Sequence, residues 1–177
     1  LYATVFYNKN DAFQSVVGST VPATAFKTRS YGVELDGTID YEGFSMNVIA
    51  TVQDPEITAS TTASDVGNQV LRQPKFQARI SPAYTFDAGS FEATLYGAVS
   101  FVGDRFGDNG NLVELDSYTK VDLGVQARHR SGVFIQVHAD NLNDSEGLTE
   151  GDPRNPTAPN GRPIFGRSIL FSVGADF

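Results

Sequence analysis

The densest chemistry-bearing stretch of this chain holds four carboxylates, Asp104, Asp108, Glu114 and Asp116, interleaved with Gly107, Asn109, Gly110 and Asn111. Oxygen-rich loops of this kind can hold calcium. The EF-hand spacing fails, however, because Phe106 stands where a ligand oxygen is required, and solvated loop charge is the better reading. A second polar stretch, 144–162, carries Glu146, Glu150, Asp152 and Arg154 among Pro and Gly residues that suit an ordered loop. Asp104, Asp108, Glu150, Asp152 and Arg154 are therefore the candidate ligand contacts. The two histidines, His129 and His138, share no metal-ligand spacing, and no Gly-x-Ser-x-Gly nucleophile elbow occurs. The expectation is a non-enzyme with no catalytic residue, no bound metal and no cofactor.

Composition narrows the classes further. Thirteen basic against twenty-one acidic side chains give a net charge of −8, whereas a nucleic-acid footprint needs a basic face. Cys is absent, which excludes disulfide frameworks and Cys-based metal sites. No run approaches the ~18 apolar residues of a membrane-spanning helix, but a transmembrane strand needs only ~9–11 alternating residues.

The elements that must position these residues are strands. Eight segments alternate with period two, which places one residue type on each face. The first is Leu1 to Tyr7. The second sets Tyr31, Val33, Leu35 and Ile39 against Glu34, Asp36, Thr38 and Asp40. The third sets Phe44, Met46, Val48, Ala50 and Val52 against Ser45, Asn47, Thr51 and Gln53, with Ile49 breaking the polar row. Phe76–Thr85 and Phe91–Phe101 supply the fourth and fifth, with Lys75, Arg79 and Glu92 on the polar side. The sixth is the cleanest, Val121, Leu123, Val125 and Ala127 against Lys120, Asp122, Gln126 and Arg128. Val133, Ile135, Val137 and Ala139 oppose Gln136, His138 and Asp140 in the seventh. The last opposes Ile169, Phe171, Val173, Ala175 and Phe177 to Ser168, Leu170, Ser172, Gly174 and Asp176. The chain reads as all-β and antiparallel.

Periodicity alone does not say whether the apolar face meets a protein core or lipid. Connection lengths do separate the two. Asp40–Gly43, Asp87–Ser90 and His129–Gly132 are tight turns, whereas 10–25, 54–73, 103–116 and 144–162 are long and polar. Transmembrane barrels have short periplasmic turns and long outer loops. Tyr41, Phe44, Phe86, Phe91 and Phe177 adjoin the tight turns at one common level, like one interfacial girdle. With four strands running each way, the C-terminus falls on the short-turn side.

The closing strand, ending on Phe177, resembles that of a bacterial outer-membrane barrel, in which the terminal aromatic belongs to the signal read by the assembly machinery. The resemblance assigns that signal to Ile169, Phe171, Val173, Ala175 and Phe177. More widely, the chain resembles the C-terminal third of TonB-dependent outer-membrane receptors. The matching pieces are Ala3–Lys9, Leu115–Val125, Val137–Asp144, the loop with Thr149–Arg154, and Gly161–Ser168. In the usual pattern an aromatic follows the Asn141-Leu142 pair; here Asn143 stands there.

The resemblance implies an N-terminal plug inside a barrel of twenty-two strands, energised through TonB. Residues 1–177 then hold the last eight strands, without a plug and unable to transport alone. The ligand classes it implies are siderophore, haem, cobalamin or oligosaccharide. It also implies outer-membrane lipid, the barrel-assembly machinery and the TonB system as partners, and the bacterial outer membrane as location. Lys120, Asp122, Arg128, His138 and Asp140 are expected to face the lumen. The chain lacks an initiator Met and a signal-peptide pattern, so upstream sequence is expected. Two rivals are a complete eight-stranded barrel with a structural or adhesive role, and a secreted β-sandwich binding module.

Overall fold

The computed structural model describes residues 1–14, 24–151 and 161–176. Asp152, Arg154 and Phe177 lie outside the described residues. In chain order the strands are β1 (Tyr2–Gln14), β2 (Thr24–Tyr41), β3 (Phe44–Ala59), β4 (Phe76–Ala88), β5 (Phe91–Val102) and β6 (Arg105–Phe106). They continue as β7 (Glu114–Leu115), β8 (Tyr118–His129), β9 (Val133–Asp140), β10 (Leu148–Gly151), β11 (Gly161–Pro163) and β12 (Ser168–Ala175). One 3-10 turn spans Ala63–Asp65, and no α-helix occurs among the described residues.

The main sheet is an antiparallel up-and-down meander in the order β1-β2-β3-β4-β5-β8-β9-β12. Its register joins the apolar rows of neighbouring strands into one surface. Val5 pairs with Val33, Val33 with Val52, and Val52 with Phe76. Across the other half, Leu95 pairs with Val125, Val125 with Val137, and Val137 with Phe171. A slip of one residue would turn every one of these side chains to the opposite face.

That surface is inside-out by the standards of a soluble protein. Leu123 is 52% exposed while its neighbour Asp122 is 7% exposed, and Phe171 and Val173 are both 78% exposed. A β-sandwich would cover such rows with a second sheet. Among the described residues the remaining strands form two-stranded ribbons, β6/β7 and β10/β11.

Two aromatic bands bound the apolar surface. Tyr41, Phe44, Tyr84, Phe86 and Phe91 flank the tight turns, with Tyr84 and Phe86 stacked at 5.8 Å. Tyr7 pairs with Tyr31 toward the other end, where Phe76 and Phe101 lie 5.6 Å apart. Tyr31 and Tyr41, Phe76 and Phe86, and Phe91 and Phe101 are each ten residues apart. At ~3.3 Å per residue and a strand tilt of ~40° that separation rises ~25 Å, the height of the lipid-facing band of a membrane barrel. The second band is absent from the reading of sequence alone.

The strands run further than the alternation predicts. Segments 10–25 and 54–73 were expected as loops, but β1 extends to Gln14, β2 begins at Thr24 and β3 extends to Ala59. Beyond Tyr31 the outer face changes from apolar to charged, and ion pairs tie the strands together. Lys27 meets Asp11 at 3.4 Å, Arg29 meets Glu56 at 2.7 Å, and Lys75 meets Asp54 at 3.1 Å. Asp54, outside the lipid-facing belt, is held below the usual carboxylate range by Lys75 and by the Tyr31 hydroxyl that donates to it. Backbone pairing continues there without lipid to enforce a two-residue period, so hydropathy alternation stops before the ladder does.

Turn chemistry and close packing complete the sheet. Glu42 and Gly43 both have positive φ, 44° and 83°, in the two-residue loop joining β2 to β3, the geometry that matches a hairpin's twist. On the polar face three aromatics pair directly with glycines: Phe6 with Gly32, Tyr96 with Gly124, and Phe134 with Gly174. A Cβ on Gly124 would sit 2.2 Å from the Tyr96 ring. Gly124→Val should therefore cost about 1–3 kcal/mol by overpacking, with part of that restored by adding Tyr96→Leu. Denaturant midpoints of the intact protein in lipid measure both.

β1 and β12 occupy the two edges and do not pair with each other among the described residues, so the sheet is not closed. This disfavours an eight-stranded barrel sealed between its first and last strands.

Candidate functional site: a polar face beneath a packed loop cap

The polar face carries a charge cluster toward its long-loop end. Lys120 donates to Asp140 at 2.7 Å and lies 3.1 Å from Asp122. Arg79 approaches Asp122 at 3.9 Å and donates to Ser100 at 2.9 Å. Period-two placement and the β5-β8-β9 register bring Lys120, Asp122 and Asp140 together. Arg128 stands apart, paired with Asp176 and lying 5.1 Å over the Phe134 ring. His138 stacks on Tyr96 with ring centroids 5.8 Å apart, and its buried Nδ1 has no hydrogen-bond partner among the described residues.

The segment after β9 locks onto this cluster. The Asn141 backbone N–H donates to Asp122 at 3.0 Å, and the wholly buried Asn141 side chain holds Ser145 and the carbonyl of Phe165. Asn143, where an aromatic was the expected pattern, uses its amide in place of a peptide group. It accepts from Val121 N–H at 2.9 Å and donates to Thr119 carbonyl at 2.8 Å. A short polar amide at that position thus extends the β8 ladder by one more rung.

Above the cluster, the long connections pack into a cap containing most of the buried apolar side chains. Ile57, Val70, Val113 and Leu115 are each at most 8% exposed. Arg105, 3% exposed, donates to the carbonyls of Gly103 and Leu148 and lies 5.4 Å over the Tyr118 ring. Asn111 exchanges two hydrogen bonds with the backbone of Gln69, and Arg72 meets Glu150 at 3.3 Å. Arg105→Ala should remove charge-assisted bonds together worth about 2–3 kcal/mol and unfasten segment 103–117 from 148–151. Faster amide exchange in both segments, at unchanged exchange in β8, is the expected reading.

The candidate loop residues are placed as follows. Asp104 accepts from Ser117 N–H at 2.7 Å. Asp108 is 9% exposed and accepts from the N–H groups of Leu112 and Val113. Both carboxylates close their own loop by accepting from backbone N–H groups further along it. Glu150 lies between Arg72 and Arg162. Among the described residues no cluster of three or more metal-ligating side chains exists.

Two hollows open at this end. One, of about 520 Å³, is lined by Glu114, Asp116, Glu146, Tyr118, Asn143 and Leu148 among others. The other, of about 420 Å³, is bordered by Asn8, Asn10, Thr28, Ser30, Thr51 and Gln77 with Glu34 nearby. Sequence reasoning missed the second because neutral amides and hydroxyls on alternate strand positions form no motif.

Comparison with known proteins bears on this arrangement. Residues 1–142 match the family model described as TonB dependent receptor-like, beta-barrel. The "Ferrichrome outer membrane transporter/phage receptor" of Escherichia coli (strain K12) is 31% identical over 144 residues, which cover 77% of this chain and 19% of that protein. The ferric yersiniabactin uptake receptor FyuA from Yersinia pestis superposes with a TM-score of 0.81 at 18% identity, over 99% of this chain and 34% of FyuA. BauA, the ferric preacinetobactin receptor from Acinetobacter baumannii, gives 0.77 at 18% identity, over 97% of this chain and 26% of its own. The chain thus spans about a fifth to a third of the length of these proteins, which are transporters and receptors rather than enzymes. With its inside-out sheet, alternating connections and matched residues, the chain belongs to the β-barrel family of TonB-dependent receptors, proteins of the bacterial outer membrane.

Proposed function

We propose that residues 1–177 are the C-terminal strands of a receptor barrel for TonB-energised uptake of a scarce nutrient, most closely of the siderophore class, with a plug domain and about fourteen further strands upstream. The observation carrying this reading is the lipid-matched belt of the sheet, two aromatic bands ten residues apart around an apolar surface, in a chain of this family. The unpaired edges β1 and β12 support it: each presents a row of N–H and C=O groups that lipid does not satisfy, and neighbouring strands of a larger barrel would.

In this reading Lys120, Asp122, Arg128, His138 and Asp140 face the lumen and the plug, and Ile169 to Phe177 carry the assembly signal. Glu150, Asp152 and Arg154 belong to the outer mouth with Asp104 and Asp108, whose carboxylates hold the mouth's shape. The test is the complete gene in a host lacking its own receptors. Uptake of a ferric complex that vanishes on deletion of TonB is the expected result. A signal peptide joined directly to Leu1, with no uptake of any complex, would overturn the proposal.

A further inference from the structure

The polar face is chemically divided. On β4, β5, β8, β9 and β12 it carries charged side chains, several of them paired with one another: Arg79 and Lys120 with Asp122, Lys120 with Asp140, and Arg128 with Asp176. On β1–β3 and the start of β4 it is mostly neutral around the hollow of about 420 Å³, where Asn8, Asn10, Thr28, Thr51 and Gln77 offer amides and hydroxyls and Ser30 donates to Gln53 at 3.0 Å. Lys9 and Arg29 also border it, but their charged ends pair with Asp11 at 3.5 Å and Glu56 at 2.7 Å. The one further ionisable group on the rim is Glu34, an acid.

Each amide supplies both a donor and an acceptor, and each hydroxyl does the same. A wall of this kind satisfies a ligand's neutral polar groups from any direction. It does not neutralise a charge, and burying an unpaired charge is costly. Glu34 adds repulsion against any anion. The volume lies within the range of small-molecule sites.

We propose that this hollow is a contact surface for an uncharged ligand rich in hydrogen-bonding groups, and that it selects against anionic ferric complexes. The proposal rests on the receptor reading above and narrows its substrate class. Two sources share this chemistry, a neutral ferric hydroxamate and a neutral oligosaccharide.

The experiment uses the full-length receptor in outer-membrane vesicles with three probes: ferrichrome as the uncharged hydroxamate, maltohexaose as the oligosaccharide, and ferric citrate as the anion. Gln77→Leu and Thr51→Val each remove hydrogen-bonding capacity, the first at an exposed and the second at a half-buried position of the sheet. Glu34→Gln removes the charge alone. One uncharged probe should bind, identifying the source, and Gln77→Leu or Thr51→Val should weaken it by about three- to tenfold. Glu34→Gln should leave that probe unchanged while improving ferric citrate. Binding of ferric citrate alone, of no probe, or of an uncharged probe indifferent to both hollow variants overturns the proposal. TonB-dependent uptake of ferric citrate would in that case leave the receptor reading intact. Loss of TonB-dependent uptake for every ferric complex and for maltohexaose would remove that reading as well.

Discussion

Arginine at Leu123 should destabilise the intact barrel by about 2–4 kcal/mol, the cost measured for a cation facing lipid at the bilayer midplane. The position follows from the two bands. Leu123 pairs with Gly97, and Gly97 lies within one residue of the midpoint between Phe91 and Phe101 on β5. Leu123 is also 52% exposed on the apolar face, so the guanidinium cannot retreat into protein. The same substitution at Tyr31, in the outer band, should cost about 0–1 kcal/mol because the penalty falls toward the interface. Unfolding midpoints in phospholipid vesicles measure both. Equal costs at the two depths would mean that the apolar surface is not immersed.

Asp122→Ala should be the most damaging truncation on the opposite face, at about 1.5–3 kcal/mol. Hydrogen bonds to charged groups are worth about that much, and a buried donor left behind adds its own penalty. Asp122 receives the Asn141 N–H and the Lys120 ammonium. Asp140 continues to hold Lys120 at 2.7 Å, which limits the loss. The Asn141 amide has no such second partner among the described residues, so the segment from Asn141 to Ser145 should loosen first. The distinguishing measurement is amide exchange: protection at Asn141 and Ser145 should fall before that of β8. Asp122→Asn keeps an acceptor and should lose less than half as much.

The sheet was legible in the sequence wherever lipid writes the pattern. From Val121 to Ala127 every second residue must be apolar on one side, and the strand could be read residue by residue. From Asn8 to Ala12, and from Asp54 to Ala59, both faces meet water or loop. The hydrogen-bond ladder continues there on Lys9–Asp11 and Arg29–Glu56 contacts, which look in sequence like ordinary loop polarity. The outer aromatic band was missed for a related reason: its members are spread across four strands and gather only when the register is known. The charge cluster could be assigned to one face, since Lys120 and Asp122 share parity. The join to Asp140 depends on the β8–β9 register and on Asn141, whose positive φ of 50° turns the chain back. Asp104 and Asp108 were singled out by charge, but charge type does not reveal that a carboxylate already caps backbone N–H groups of its own loop.

The uneven strand lengths have a further consequence for how molecules arrive. β2 has 18 residues and β9 and β12 have eight each, so at ~3.3 Å per residue one side of this arc is ~60 Å of ladder and the other ~26 Å. The rim is cut obliquely, like the lip of a scoop. In the proposed receptor the tall side of the arc, β1–β3, would carry its neutral amides above the level at which the β9 and β12 ladders end. The outer face of that side carries the ion pairs Lys27–Asp11 and Arg29–Glu56 above the apolar rows. In that proposed receptor, the hydrogen-bonding wall would stand on one side of the mouth rather than all around it.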